Sequence, residues 1–90
     1  MTKVFPKPNP DILSRRLDDG IVLLNLKTDR ILELNDTAAL FWELLVAGED
    51  LRAIQRKLSE AFDVSADDLG PEIQRIIETM RGEKLLLFED

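Results

Sequence analysis

The sequence predicts an α+β fold in which a three-stranded antiparallel sheet is followed by three helices. Two observations carry this. Between Ile12 and Leu34 the apolar residues fall in short runs separated by Asp18-Asp19-Gly20 and Lys27-Thr28-Asp29-Arg30, which is hairpin punctuation. After Asn35 the apolar spacing changes to steps of three and four, the period of a helix with one buried side. Ninety residues suffice for one core and not for two. Residues 1–90 are therefore read as a single domain with an extended arm over residues 1–10. A hydrophobic fraction of 44% beside 33% charged residues is globular composition, neither disordered nor membrane-spanning.

In the arm, Pro6, Pro8 and Pro10 alternate with Lys7 and Asn9. Spaced prolines favour a polyproline-like conformation without ladder hydrogen bonds of its own. The arm has no apolar h-region, so a signal peptide is not expected. No apolar run exceeds the five residues Ala38 to Trp42, and others, such as Ile21 to Leu24 and Leu85 to Phe88, are four, all too short for a transmembrane helix. The expected address is the cytoplasm, with no membrane partner.

Ile12 to Leu17 reads as a modest strand and Ile21 to Leu26 as a stronger one, joined by a turn in which Gly20 can take positive φ. Ile31 to Leu34 completes a meander. With Thr28-Asp29 as a tight turn, Leu26 faces Ile31, Leu24 faces Glu33 and Leu23 faces Leu34. One sheet face then carries Ile21, Leu23, Leu32 and Leu34. The other carries Val22, Leu24, Leu26 and Ile31 beside Glu33. A small sheet normally solvates one face, so the second apolar face calls for cover by the arm or by a partner.

Asp36 is the expected N-cap of a first helix, Thr37 to Val46, with Leu40, Phe41, Leu44 and Leu45 on one side and Ala47-Gly48 as its stop. Asp50 caps a second, Leu51 to Phe62, with the stripe Leu51, Ile54, Leu58 and Phe62. Ser65 or Asp67 caps a third, running to about Arg81, with Pro71 in its first turn. Its stripe of Leu69, Ile73, Ile76, Ile77 and Met80 spans roughly 100° at the helical period, slightly wide for burial on one side only. Gly82 ends it, and Leu85 to Phe88 forms a short strand or packed tail.

The composition restricts the chemistry. Cysteine, histidine and tyrosine are absent. Disulfides, Cys/His metal sites and His-dependent nucleophiles are therefore ruled out. No carboxylate pair stands isolated in an apolar setting, as acid–base catalysis would need. The expectation is a non-enzyme with no cofactor and no metal.

Three strands with three helices, the last two joined by a short turn, is also a winged helix-turn-helix-like outline, which raises DNA binding. The charge map opposes it. Residues 1–35 hold six basic and five acidic side chains, whereas residues 36–90 hold six basic and thirteen acidic, for a net charge of −6. The third helix would be the recognition helix. It offers Glu72, Gln74, Arg75, Glu78, Thr79 and Arg81, a surface that repels phosphate as often as it attracts it. No nucleic-acid partner is expected.

Several segments, in order and spacing, resemble the PqqD-like family. They are Gly20-Ile21-Val22-Leu23-Leu24, Ile31-Leu32-Glu33-Leu34-Asn35-Asp36-Thr37-Ala38-Ala39, and Phe41-Trp42-Glu43-Leu44-Leu45. Leu51-Arg52-Ala53-Ile54-Gln55-Arg56-Lys57-Leu58 follows, then Phe62-Asp63-Val64 and Lys84-Leu85-Leu86. The likeness runs from about Asp19 to Leu87. It departs at Val46-Ala47-Gly48, where the family often has an acidic or polar residue before the glycine. It departs again at Gly82-Glu83-Lys84-Leu85, where the glycine comes early.

The resemblance implies a recognition domain for the leader of a ribosomally made precursor peptide. The leader would add as a strand to the third strand's edge, in a cleft closed by the third helix. The implied leader-binding residues are Ile31, Leu32, Glu33 and Leu34 on the strand, with Glu72, Ile73, Arg75, Ile76, Thr79 and Met80 on the helix. The implied partners are the leader and a leader protease or other maturation enzyme. Two settings follow: lasso-peptide biosynthesis, or the PQQ cofactor pathway with a radical enzyme. The two loop departures favour the lasso setting.

The residues themselves make strand addition reasonable, because an unpaired edge offers free N–H and C=O groups. Glu33, Glu72 and Glu78 could meet a basic leader. Each feature also has a simpler reading. Trp42 and Phe41 suit the core, part of the third-helix stripe must be core, and Glu33 can guard an edge against aggregation. Asp67-Asp68 suits the helix dipole.

Overall fold

The computed structural model describes residues 6–18 and 20–88. The elements run β1 (Pro6–Pro8), β2 (Ile12–Leu17), β3 (Gly20–Asn25), β4 (Arg30–Leu34), α1 (Asp36–Val46), α2 (Leu51–Phe62), α3 (Ala66–Gly82) and β5 (Leu86–Phe88). The fold is α+β, a three-stranded antiparallel sheet in the order β2-β3-β4 followed by three helices.

The register of β3 on β4 differs from the expected one by two residues. Leu24 faces Ile31, Val22 faces Glu33, Leu23 faces Leu32 and Ile21 faces Leu34. The cause is Asn25. Its side-chain oxygen accepts hydrogen bonds from the N–H groups of Lys27 at 2.9 Å and Thr28 at 3.2 Å. The Asp29 N–H closes on the Asn25 carbonyl at 2.8 Å. Asp29 itself takes φ 60, a left-handed conformation that aspartate tolerates. The connection thus holds four residues, Leu26 to Asp29, in place of a two-residue turn. A shift of two leaves the parity of the strand unchanged, so the two faces are populated as expected. Ile21, Leu23 and Leu34 are buried on the inner face, while Ile31 on the outer face is 69% exposed.

Helix boundaries follow their caps. Asn35, not Asp36, is the N-cap of α1: its side chain accepts from the Ala38 N–H at 3.0 Å. β4 ends at Leu34, so Asn35 is the first residue free to turn. Asp36 moves into the first turn, where its charge complements the helix dipole. At the other end Gly48 adopts φ 91. Its N–H reaches the Leu45 carbonyl and that of Glu49 reaches Leu44, a Schellman closure that needs a left-handed residue. Asp50 caps α2 through the Ala53 N–H, and Ser65 caps α3 through the Asp68 N–H. With the cap at Ser65, Pro71 lies in the second turn, not the first. There the N–H it lacks would have bonded the Asp67 carbonyl. α3 also runs through Gly82, with its cap at Glu83.

The arm behaves differently from a polyproline segment. β1 pairs antiparallel with β5, Lys7 opposite Leu87 and Pro8 opposite Leu86. The Asn9 N–H donates to the Leu85 carbonyl at 2.9 Å, and its side-chain amide donates to Lys84 at 2.8 Å. Counting back from that bond, Pro6 and Pro8 occupy non-hydrogen-bonded positions, where a missing N–H costs the ladder nothing. The described part of the arm packs on β5 and α1 and leaves the outer sheet face uncovered.

The core joins the inner sheet face to all three helices. Phe41, Leu23, Ile54, Leu58 and Met80 are fully buried at its centre, and Trp42 is 3% exposed. Among the described residues the indole Nε1 of Trp42 has no hydrogen-bond partner, which offsets part of its packing gain. Among the described residues no helix is long and apolar enough to cross a membrane.

Candidate functional site

β4 is bonded to β3 along one edge and, among the described residues, to no strand along the other. The alternation of an antiparallel ladder, counted from the Asn25–Arg30 pair that closes the turn, assigns the inward backbone groups to Leu32 and Leu34. The N–H and C=O groups of Ile31 and Glu33 then face the open side. They are what a further strand would bond.

α3 lies opposite this edge and runs against β4. The Arg30 guanidinium grips the Glu83 carboxylate with both arms, Nε to Oε1 at 2.7 Å and an Nη to Oε2 at 3.0 Å. That bond puts the end of α3 beside the start of β4, and hence Glu72 toward Leu34 and Asn35. Between strand and helix is a groove of about 210 Å³. Leu32, Glu33 and Leu34 line it from β4, and Asn35 and Ala38 from the start of α1. Glu72, Arg75, Ile76, Thr79 and Met80 line it from α3.

The helical period orders those five side chains. At 100° per residue they turn away from the core in the sequence Met80, Ile76, Glu72, Thr79, Arg75. Exposure follows suit: Met80 is 1% exposed and Ile76 9%, Glu72 is half-buried, and Thr79 and Arg75 are exposed. Met80 and Ile76 form an apolar floor, Glu72 and Thr79 a polar wall, and Arg75 the rim.

Three residues expected at the site carry their side chains elsewhere. Ile73 sits on the other side of Met80 and is buried in the core. The Ile31 and Glu33 side chains, opposite Leu24 and Val22, lie on the outer sheet face, so it is their backbone that belongs to the edge. Glu78 is exposed and does not line the groove. Asn35 and Ala38 were not foreseen. Both follow from α1 starting directly after β4, which brings its first turn to the end of the groove.

A larger hollow, about 510 Å³, lies over the β2–β3 hairpin among Arg15, Asp18, Val22 and Glu33. It has neither a continuous apolar floor nor an open strand edge opposite a helix. The β4–α3 groove is therefore the better candidate.

Fold and groove together define a winged-helix-like α+β domain in which, among the described residues, one sheet edge stands open against the third helix. Residues 20–86 match the family described as Coenzyme PQQ synthesis protein D (PqqD), and the chain belongs to that family. Two solved structures are similar. One, described as TbiB1 in complex with the TbiA(beta) leader peptide, has a TM-score of 0.84 at 22% identity, covering 89% of this chain and 93% of that one. The other, a lasso peptide synthetase B1 complexed with the leader peptide, has a TM-score of 0.82 at 26% identity, covering 91% and 96%. No curated protein matches in sequence.

Proposed function

We propose that this chain binds the leader segment of a ribosomally synthesised precursor peptide and presents it to a maturation enzyme of the lasso-peptide type. The leader adds as a strand to the free edge of β4, bonding the outward backbone groups of Ile31 and Glu33. Its alternate side chains enter the groove against Leu32, Leu34, Ile76 and Met80. The single observation that carries this reading is the open β4 edge facing an apolar-floored groove, because backbone pairing supplies affinity and alternate pockets supply specificity. The similar structures support it, since both are described with a leader peptide bound.

The role is binding and delivery, without catalysis, and the partner enzyme is a leader protease. The leader is basic, meeting Glu33 on the strand and Glu72 on the helix. The family description favours one second reading, delivery of a PQQ precursor to a radical enzyme.

Titration of labelled leader peptides, taken from short reading frames beside the gene and followed by fluorescence anisotropy, tests the proposal. Duplex DNA is the control. Sub-micromolar binding of one leader is expected, and the leader that binds identifies the pathway. Binding to DNA alone would overturn the peptide reading in favour of a winged-helix DNA binder.

A further inference from the structure

The groove wall contains two opposite charges that nothing in the described structure answers. Glu72 and Arg75 stand three residues apart on α3 and line the same groove. Opposite charges at that spacing can pair along a helix, yet no ion pair joins them. Arg30–Glu83, Arg16–Glu43, Lys57–Glu49 and Lys27–Asp11 all close elsewhere on the surface. Nor does the opposite wall supply a partner. Leu32, Leu34 and Ala38 are apolar, the uncharged Asn35 caps α1 with its side-chain oxygen, and Glu33 lies opposite Val22 in the strand register, which puts its side chain on the outer face. Glu72 is half-buried in the groove wall, and among the described residues no cation pairs with it.

We infer that the groove selects an extended segment carrying a cationic and an acidic side chain two residues apart, the cation at Glu72 and the acid at Arg75. This rests on the strand-addition reading and adds to it a rule about sequence. In an added strand, every second side chain enters the groove, at a repeat of roughly 6.6 Å. Glu72 and Arg75 are separated by roughly 4.5 Å along the helix axis, a difference that two long side chains absorb. The order follows from topology. α3 runs against β4, so a strand antiparallel to β4 runs with α3 and passes Glu72 before Arg75. The segment therefore reads Lys or Arg, any residue, then Asp or Glu. A guanidinium at the rim favours a carboxylate, which it can hold with two parallel hydrogen bonds.

The test measures dissociation constants of the whole chain and its Glu72→Arg, Glu72→Gln, Arg75→Glu and double-reversal variants. The probes are the leader that binds the unaltered chain and a copy with its cation and acid exchanged. Circular dichroism checks that each variant is folded, and the neutral Glu72→Gln covers the case in which Glu72→Arg is not. Each single change is expected to weaken the natural leader at least tenfold. The double reversal is expected to prefer the exchanged leader at least tenfold, the opposite of the unaltered chain. Folded single variants that bind like the unaltered chain overturn the charge rule while leaving strand addition standing. So does a double reversal indifferent to the exchange, or a bound leader without such a pair. Failure of the unaltered chain to bind any leader overturns both.

Discussion

At residue 20 there is room for a hydrogen and nothing more. A Cβ built there would lie 2.5 Å from the Leu34 carbonyl oxygen; the Cβ is fixed to its Cα and the oxygen belongs to backbone, so neither can rotate away. Gly20 thereby holds the start of β3 against the end of β4, beside the groove. Gly20→Ala is expected to cost about 1–3 kcal/mol, read as a lower midpoint in chemical denaturation; an unchanged midpoint would show that Leu34 yields freely. Two α3 residues separate folding from binding in the same way. Ile76 is 9% exposed and belongs to the core as well as the groove floor. Ile76→Glu would bury a lone charge at a cost of roughly 3–5 kcal/mol, a large part of what so small a domain possesses. Thr79 lines the groove but is exposed. Thr79→Arg should keep its melting temperature while leader binding falls at least tenfold, about 1.4 kcal/mol. Undiminished binding by the folded variant would place the leader elsewhere.

At the level of elements, the open edge makes a sharper prediction. The Glu33 N–H points away from β3, so removing it leaves the β3–β4 ladder intact, and proline is tolerated on an edge facing that way. Glu33→Pro should remain folded and lose at least tenfold in leader affinity, whereas Glu33→Lys keeps the donor and should retain most of the bound-state lifetime. Equal lifetimes for the two would mean that the leader does not use this edge. What could be read in advance divides along physical lines. The faces of the sheet were legible because alternation depends only on parity. The register was not, because it depended on how the Asn25 side chain folded the turn, and a two-residue and a four-residue connection fit the same letters. Asn35 and Asp36 are equally able caps, and the end of β4 chose between them. The β1–β5 pairing joins residues some eighty positions apart, with prolines whose suitability appears only once the ladder's phase is known. On α3 the period identified the apolar stripe. Assigning Ile76 to the groove and Ile73 to the core needed the position of β4, which no local pattern contains.

For the whole molecule the governing quantity is charge. The chain carries −6 overall, with the excess of acid in residues 36–90, in a body only 39 × 36 × 20 Å across. At 0.1 M ionic strength the screening length is about 10 Å, so an approaching basic leader feels the half of the molecule nearest to it. Such a field acts on encounter, and contacts inside the groove act on escape. The two can therefore be separated by salt. Raising ionic strength from about 0.05 to 0.5 M should slow association of a basic leader by roughly tenfold, within the range known for steered encounters. The dissociation rate should change much less, as stopped-flow anisotropy would show. Glu33→Lys, which alters the field at the edge, should reproduce part of the slowing at low salt. Thr79→Arg, which obstructs the groove, should appear mainly in dissociation. An association rate indifferent to salt would remove long-range steering and leave recognition to the β4 edge and groove alone. Duplex DNA offers the contrast: its affinity would fall as a steep power of salt concentration, and a leader that behaved likewise would be bound by its charge instead of by its strand.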